Sequence, residues 1–234
     1  MSLLTIAQDI LKETKAATIP STIIGNNQDS AKQVLQALKI ATVNISRSFD
    51  WQELQKEHTF NSVASTQGYN LPSDFDRVID NTFWNTTNQR TVIGPTSPKD
   101  WRVLTNSTIT GATANDYFRT RGGQFLLFPT PTAVEGYVLE YISNLIVESS
   151  GGSGQTDWIA DSDVPVVDDY LVRLDATWRL LKMQGKPYAE EQRELELALA
   201  ERISRNGGRE SVYHSSDTGL DKSRIGYPAL ITAP

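Results

Sequence analysis

The sequence predicts an α+β protein: a helical bundle core from both ends of the chain, an inserted antiparallel β-domain and an extended C-terminal arm. Three observations predict it. Apolar residues recur at helical spacing in residues 3–48 and again in 169–204. Between them lie short aromatic and β-branched runs broken by Gly, Pro and Asn. After Gly208 the periodicity stops, yet apolar residues continue. The chain divides into a first helical part (1–50), a β-rich insertion (51–160), a second helical part (161–206) and an arm (207–234).

In the first part, Leu3, Ile6, Ala7, Ile10 and Leu11 set a helix, with Ser2 as its cap. Ile19-Pro20 and Gly25-Asn26-Asn27 break the pattern. A second helix is expected over residues 29–48, its apolar stripe made by Val34, Leu35, Leu38, Ala41, Val43 and Ile45. Phe49 and Trp51 should anchor it to the next layer.

In the insertion, residues 57–63 read as a strand, and 69–75 as the end of a second strand in a proline turn. Residues 78–84 are apolar and extended toward their end. A polar hairpin loop at 85–90 precedes Thr91-Val92-Ile93. Ser97 as N-cap and Pro98 at the first helical position predict one short helix with Trp101 and Leu104 inward.

The run 117–131 is the most specific. Gly122-Gly123 between aromatic strands predicts a two-residue hairpin, because primed turns need φ > 0 at their centre and glycine reaches it without a Cβ clash. Arg121 then faces Gln124, Thr120 faces Phe125 and Phe118 faces Leu127. Phe118, Phe125 and Leu127 share one face; Tyr117, Leu126 and Phe128 lie on the other with Arg119 and Arg121. Both faces carry apolar bulk, so the sheet should be covered on two sides.

A strand over 136–145 places Tyr137, Leu139, Tyr141 and Leu145 on one face, and 149–154 reads as a flexible loop. Asp168 or Asp169 starts a helix carrying Tyr170, Leu171, Leu174, Trp178 and Leu181, stopped by Gly185 and Pro187. Its partner spans 188–204 with Leu195, Leu199 and Ile203, and Asn206-Gly207-Gly208 signals its end.

Composition restricts function. The 234 residues carry a formal charge of −6, and a sequence pI of about 5.0 disfavours DNA or RNA readout as the main task. Cysteine is absent, which removes disulfides and thiolate chemistry. The start lacks a basic n-region and a long apolar core, and no run approaches the roughly 20 apolar residues of a bilayer span, so a soluble chain is expected.

Reactive groupings are sparse, and no cofactor, metal or catalytic residue is implied. His58, at the head of a strand, and His214, in the arm, are the only histidines. Asp157, Asp161, Asp163, Asp168 and Asp169 surround a turn; a calcium site or a carboxylate hydrolase using Asp161 and Asp163 is one reading, helix capping and solvation the favoured one. Gly151-Gly152-Ser153-Gly154 lacks the lysine and helix of a phosphate loop and reads as linker. Arg119 and Arg121 beside Tyr117 and Phe118 suit base stacking less well than packing on aromatics. A glycan platform on Trp84, Trp101 or Trp158 is the rival binding function.

The arm keeps Val212, Tyr213, Ile225, Tyr227, Pro228, Leu230 and Ile231. Stretched out, the 26 residues from Arg209 onward would reach about 85 Å. Apolar residues on an extended segment with no core of their own point to docking, either on the same protein or, the favoured reading, on another subunit.

Several stretches resemble head–tail adaptor proteins of tailed bacteriophages. They are Asp76–Asp80 with Phe83-Trp84, the run 91–101 containing Gly94-Pro95 and Ser97-Pro98-Lys99-Asp100-Trp101, and Tyr117–Phe125 followed by Phe128-Pro129-Thr130-Pro131. The closing helices are similar too, in Trp178-Arg179-Leu180-Leu181-Lys182 and Gly185-Lys186-Pro187-Tyr188-Ala189-Glu190. The likeness covers nearly all of residues 1–208.

The resemblance implies a structural, non-enzymatic virion protein at the head–tail interface, typically a ring of twelve copies beneath the portal protein. Tail nozzle or tail-completion proteins would bind the opposite face, and double-stranded DNA would pass through the channel without specific binding. No membrane is involved. The portal-docking residues would be Tyr213, Ile225, Tyr227, Pro228, Leu230 and Ile231; the hairpin residues Arg119, Arg121, Gly122, Gly123 and Gln124 are the tail-facing candidates. A β-rich receptor- or glycan-binding module of a tail is the alternative.

Overall fold

The computed structural model describes residues 1–106 and 115–206. Helices from both ends of the chain pack together, and a central mixed sheet curves into a half-barrel between them in sequence.

Helix α1 (Leu3–Glu13) starts at Ser2, whose hydroxyl accepts the Thr5 N–H at 3.4 Å. Its first free amides find partners across the fold: Leu3 N donates to the Asp163 carbonyl and Leu4 N to that of Asp161. Helix α2 (Asp29–Ser48) buries Val34, Leu38, Ala41 and Ile45 and half-buries Leu35 and Val43, as its periodicity predicts. The anchoring expected of Phe49 and Trp51 is present. Trp51 is buried, donates its Nε1–H to the Ile45 carbonyl at 2.6 Å, and meets Phe49 edge-on.

A short turn, Gln52–Leu54, leads into β1 (Gln55–Asn61). Then come β2 (Gly68–Asn70), β3 (Phe75–Val78), β4 (Trp84–Asn85) and β5 (Arg90–Ile93). Helix α3 (Pro98–Asn106) begins at Ser97, whose hydroxyl accepts the Asp100 N–H and bonds the Asp100 carboxylate, a reciprocal cap. The hairpin strands are β6 (Asp116–Arg121) and β7 (Gln124–Phe128), followed by β8 (Gly136–Ser143).

β1 pairs with β8 along its whole length, from Gln55 opposite Ile142 to Asn61 opposite Gly136. The strand that enters the insertion therefore lies beside the strand that leaves it, which is how one continuous helical core accommodates a β-domain. The pairing order is β1-β8-β4-β5-β6-β7-β2, with β3 also on β8.

The expected antiparallel pattern holds except between β5 and β6, which run parallel with Val92 opposite Asp116 and Ile93 opposite Tyr117. The connection between them contains α3 and is long enough to return the chain in the same direction. The hairpin has the predicted register, Phe118–Leu127, Thr120–Phe125 and Arg121–Gln124, with φ of 59° and 77° at Gly122 and Gly123.

The segment 78–84 is extended at its end, where Trp84 opens β4, after a turn in which Asn81 takes a positive φ and the Thr82 hydroxyl donates to the Ile79 carbonyl. Three local expectations are corrected. β1 begins at Gln55, ahead of the expected 57, so His58 lies inside it. β8 ends at Ser143, leaving Leu145 beyond it. The stretch 149–154 is a hydrogen-bonded turn between β9 (Val147–Glu148) and β10 (Gly154–Gln155), closed by Ser149 N to the Ser153 carbonyl at 2.9 Å. These strands form a small second sheet with β11 (Val164–Pro165).

Helix α4 (Asp169–Met183) is capped by Asp168, whose carboxylate accepts the Tyr170 N–H at 2.9 Å. Helix α5 (Ala189–Asn206) packs on it, and α4 also packs on α2. Tyr170 is exposed and donates its hydroxyl to Glu194. Trp178 is half-buried under Arg179, whose guanidinium carbon lies 4.4 Å from the ring centroid.

Two apolar clusters result. One joins α1, α2 and α4 with Trp51, Leu54, Ile142, Ile146, Val147 and Trp158. The other fills the half-barrel with Phe83, Val92, Phe118, Phe125, Leu127, Tyr137, Leu139 and Tyr141. The far face of the hairpin is covered in part by α3, whose buried Trp101 meets Phe128 edge-on.

Candidate functional site

The hairpin residues nominated from sequence come together at one tip. Arg121, Gly122, Gly123 and Gln124 are exposed there, and Arg119 is half-buried one step back along β6. The tip is braced from β2: Gln124 Nε2 donates to Asn70 Oδ1 at 3.2 Å, and Leu71 N donates to the Gly123 carbonyl at 3.1 Å.

The root of the hairpin is held by a polar network that sequence reading missed. Arg90 makes a two-pronged contact with Asp116, Nε to Oδ2 at 2.9 Å and a terminal nitrogen to Oδ1 at 2.6 Å. Asn85, fully buried, donates to Asp116 at 2.9 Å and to Glu135 at 2.7 Å, while its Oδ1 accepts the N–H groups of Thr87 and Asn88. The Tyr137 hydroxyl donates to Glu135. Burial works to raise the Glu135 pKa, but the hydrogen bonds from Asn85 and Tyr137 outweigh it and hold the group below its usual range. Burial and the same carboxylate push Tyr137 upward. The only signal in sequence was an asparagine and an aspartate set among aromatic strand residues, where a polar group must find partners.

A second cluster joins the sheet to the loop before β3. The Asp74 carboxylate accepts Lys56 Nζ at 2.6 Å, the Tyr141 hydroxyl at 2.9 Å and the Ser143 hydroxyl at 3.0 Å. Burial opposes ionisation, yet these donors keep the Asp74 pKa lowered. Tyr141 is pushed up to about 12 by burial and by Asp74.

The arm residues Tyr213, Ile225, Tyr227, Pro228, Leu230 and Ile231, like His214, lie outside the described residues. The end of α5 is described. Asn206 is buried; its carbonyl accepts Gln52 Nε2 at 3.0 Å and its amide donates to Glu53 at 2.9 Å. Arg202 reaches both Glu53 and Asp168.

The acidic residues 157–169 are each engaged by the protein. Asp161 accepts the N–H groups of Ile23 and Ile24, and buried Asp163 those of Ile159 and Ala160. Asp157 pairs with Lys39, Asp168 caps α4, and Asp169 meets the Met1 ammonium. Among the described residues no group of three or more His, Cys, Asp or Glu is placed to hold a metal. His58 stacks beside Phe60. Of the tryptophans considered for a glycan platform, Trp101 and Trp158 are buried and Trp84 is half-buried, so they present no shared exposed face. Among the described residues no helix is long and apolar enough to cross a membrane.

The described polar groups hold the hairpin tip at one place and the end of α5 at another. Comparison with curated proteins returns no match. The sequence profile of the SU10 adaptor protein family does match, over residues 1–218, a span that includes both helical parts and the whole β-insertion. The chain belongs to the SU10 adaptor protein family, a family of phage adaptors.

Proposed function

We propose that this protein is a structural head–tail adaptor of a tailed phage: a ring subunit, twelve copies by resemblance, that joins the portal protein to the tail and leaves a channel for the genome. The observation that carries this reading is the family match across almost the whole chain. Two features of the molecule support it. Gln52 and Glu53 hold Asn206, the last residue of α5, which suits a following arm that docks on the portal. The acidic charge of −6 suits a channel through which DNA slides, because tight phosphate binding would hold the genome back.

In this reading residues 209–234 dock on the portal through Tyr213, Ile225, Tyr227, Pro228, Leu230 and Ile231. The tip formed by Arg119, Arg121, Gly122, Gly123 and Gln124 meets tail nozzle or tail-completion proteins. Ordering a long arm costs entropy, so affinity comes from many copies engaging together. The test is size-exclusion chromatography with light scattering, with and without portal. The full chain should co-elute with portal, and a chain lacking residues 209–234 should remain folded but lose binding. Unchanged binding by the truncated chain would remove the arm assignment.

A further inference from the structure

Two stripes on the outside of the helical core complement one another. Helix α4 packs on both α2 and α5. The C-terminal ends of α2 and α5 converge: Asn206 bonds Gln52 and Glu53 just after α2, and Arg202 bridges Glu53 to Asp168 at the start of α4. The two outer helices therefore run parallel to each other, each antiparallel to α4.

On α2, positions 29, 32, 36, 40, 43 and 47 fall on one outward stripe. Lys32, Gln36 and Arg47 are exposed, with Ile40 and Val43 half-buried between them. On α5 the outward stripe is Glu190, Glu194, Leu197 and Glu201, all exposed, Leu197 at 65%. Each stripe has an apolar middle, basic toward its ends on α2 and acidic on α5. Asp29 and Arg193 are the exceptions, both near the start of their helices. Glu194 accepts the Tyr170 hydroxyl and Glu201 pairs with Arg205 within the subunit.

We propose that these stripes are the two halves of the contact between neighbouring copies, α5 of one subunit against α2 of the next. This rests on the ring reading above and names the surfaces that close it. A second copy is the occupant because a single molecule carries both complementary faces on different helices, the condition for a head-to-tail contact that closes by rotation.

Rotation about an axis along the helices preserves their direction, so α5 meets its neighbour's α2 in parallel. With Leu197 over the midpoint of Ile40 and Val43, Glu190 lies about 4 Å along the axis from Lys32 and Glu201 about 2 Å from Arg47. Both offsets are within reach of these side chains. An antiparallel pairing instead sets Glu201 opposite Gln36 and leaves Lys32 unmatched. The charges set register and partner choice, and the ring supplies avidity.

The chain has no cysteine, so Leu197→Cys with Ile40→Cys introduces the only thiols. On mild oxidation of the full chain the double variant should give a ladder of disulfide-linked multimers, and each single variant at most a dimer. In parallel, Glu190→Lys/Glu201→Lys and Lys32→Glu/Arg47→Glu should each weaken self-association at least tenfold by sedimentation. An equimolar mixture of the two should recover assembly, which local misfolding would not. No ladder in a chain that sedimentation shows to assemble overturns this contact and leaves the ring standing. No ladder in a chain that stays monomeric at every concentration, portal included, overturns both.

Discussion

The side-chain amide of Asn206 donates a hydrogen bond to the Glu53 carboxylate at 2.9 Å, tying the last residue of α5 to the turn that opens the β-insertion. Because Glu53 also accepts Arg202 at 2.8 Å, one carboxylate joins α5 to the root of β1. Glu53→Ala should free the last turn of α5, with faster hydrogen exchange over residues 200–206. The loss of global stability should be small, about 1 kcal/mol, since the pair is partly exposed. Unchanged exchange in that turn would show that the contact holds nothing in place.

Asn85 sits between two carboxylates and is fully buried. Asn85→Ala should cost about 2–3 kcal/mol by leaving buried groups without partners. Asn85→Asp should cost more, because it adds a third carboxylate beside Asp116 and Glu135 with Arg90 the nearby cation. Urea unfolding of the two variants gives the comparison; the opposite order would remove the charge argument.

A Cβ placed at Gly94 falls 2.5 Å from the Phe118 carbonyl oxygen and 2.6 Å from its ring. That carbonyl already accepts the N–H and hydroxyl of Thr96. Gly94→Ala should therefore destabilise the half-barrel by about 2–3 kcal/mol. Gly122 and Gly123 have open space around them, and only their positive φ restricts replacement. Gly122→Asn should fold normally and Gly122→Val poorly, as thermal melts would report.

Asp74 supplies an acid-side dependence. Its folded pKa lies below the ordinary 3.8, so its contribution to stability is complete above 3.8 and is lost as pH falls through the lowered value. Glu135, held below its ordinary 4.5, acts in the same direction. Unfolding midpoints in urea should drop as the pH goes below about 4. Asp74→Asn should be less stable at pH 7 and show a shallower acid decline; an equal decline would mean that Asp74 is not responsible.

Calcium or a chelator should leave the melting temperature unchanged, since Asp161 and Asp163 are spent on the N–H groups of Ile23, Ile24, Ile159 and Ala160. Asp163→Asn should instead lower it, because a neutral amide oxygen is a weaker acceptor for two amides. A calcium-dependent rise would point to a cation site that these contacts do not describe.

Local chemistry made much of this fold legible. Ser2, Ser97 and Asp168 mark three helix starts because a capping oxygen acts on amides two or three residues away. Gly122-Gly123 determined its turn and the register of both strands because only glycine adopts that backbone freely. The family likeness was readable for a related reason, since it rests on short ordered motifs in the sequence itself.

What the chain alone determined, then, was which segments are helices and which hairpin closes where. Tertiary structure decided the rest: the parallel return of β6 beside β5, the pairing of β1 with β8, and the partners of Asn85, Asp74 and Glu53. Those contacts join residues tens of positions apart, where no spacing rule reaches, and each is set by a buried polar group finding its complement only after the chain has folded.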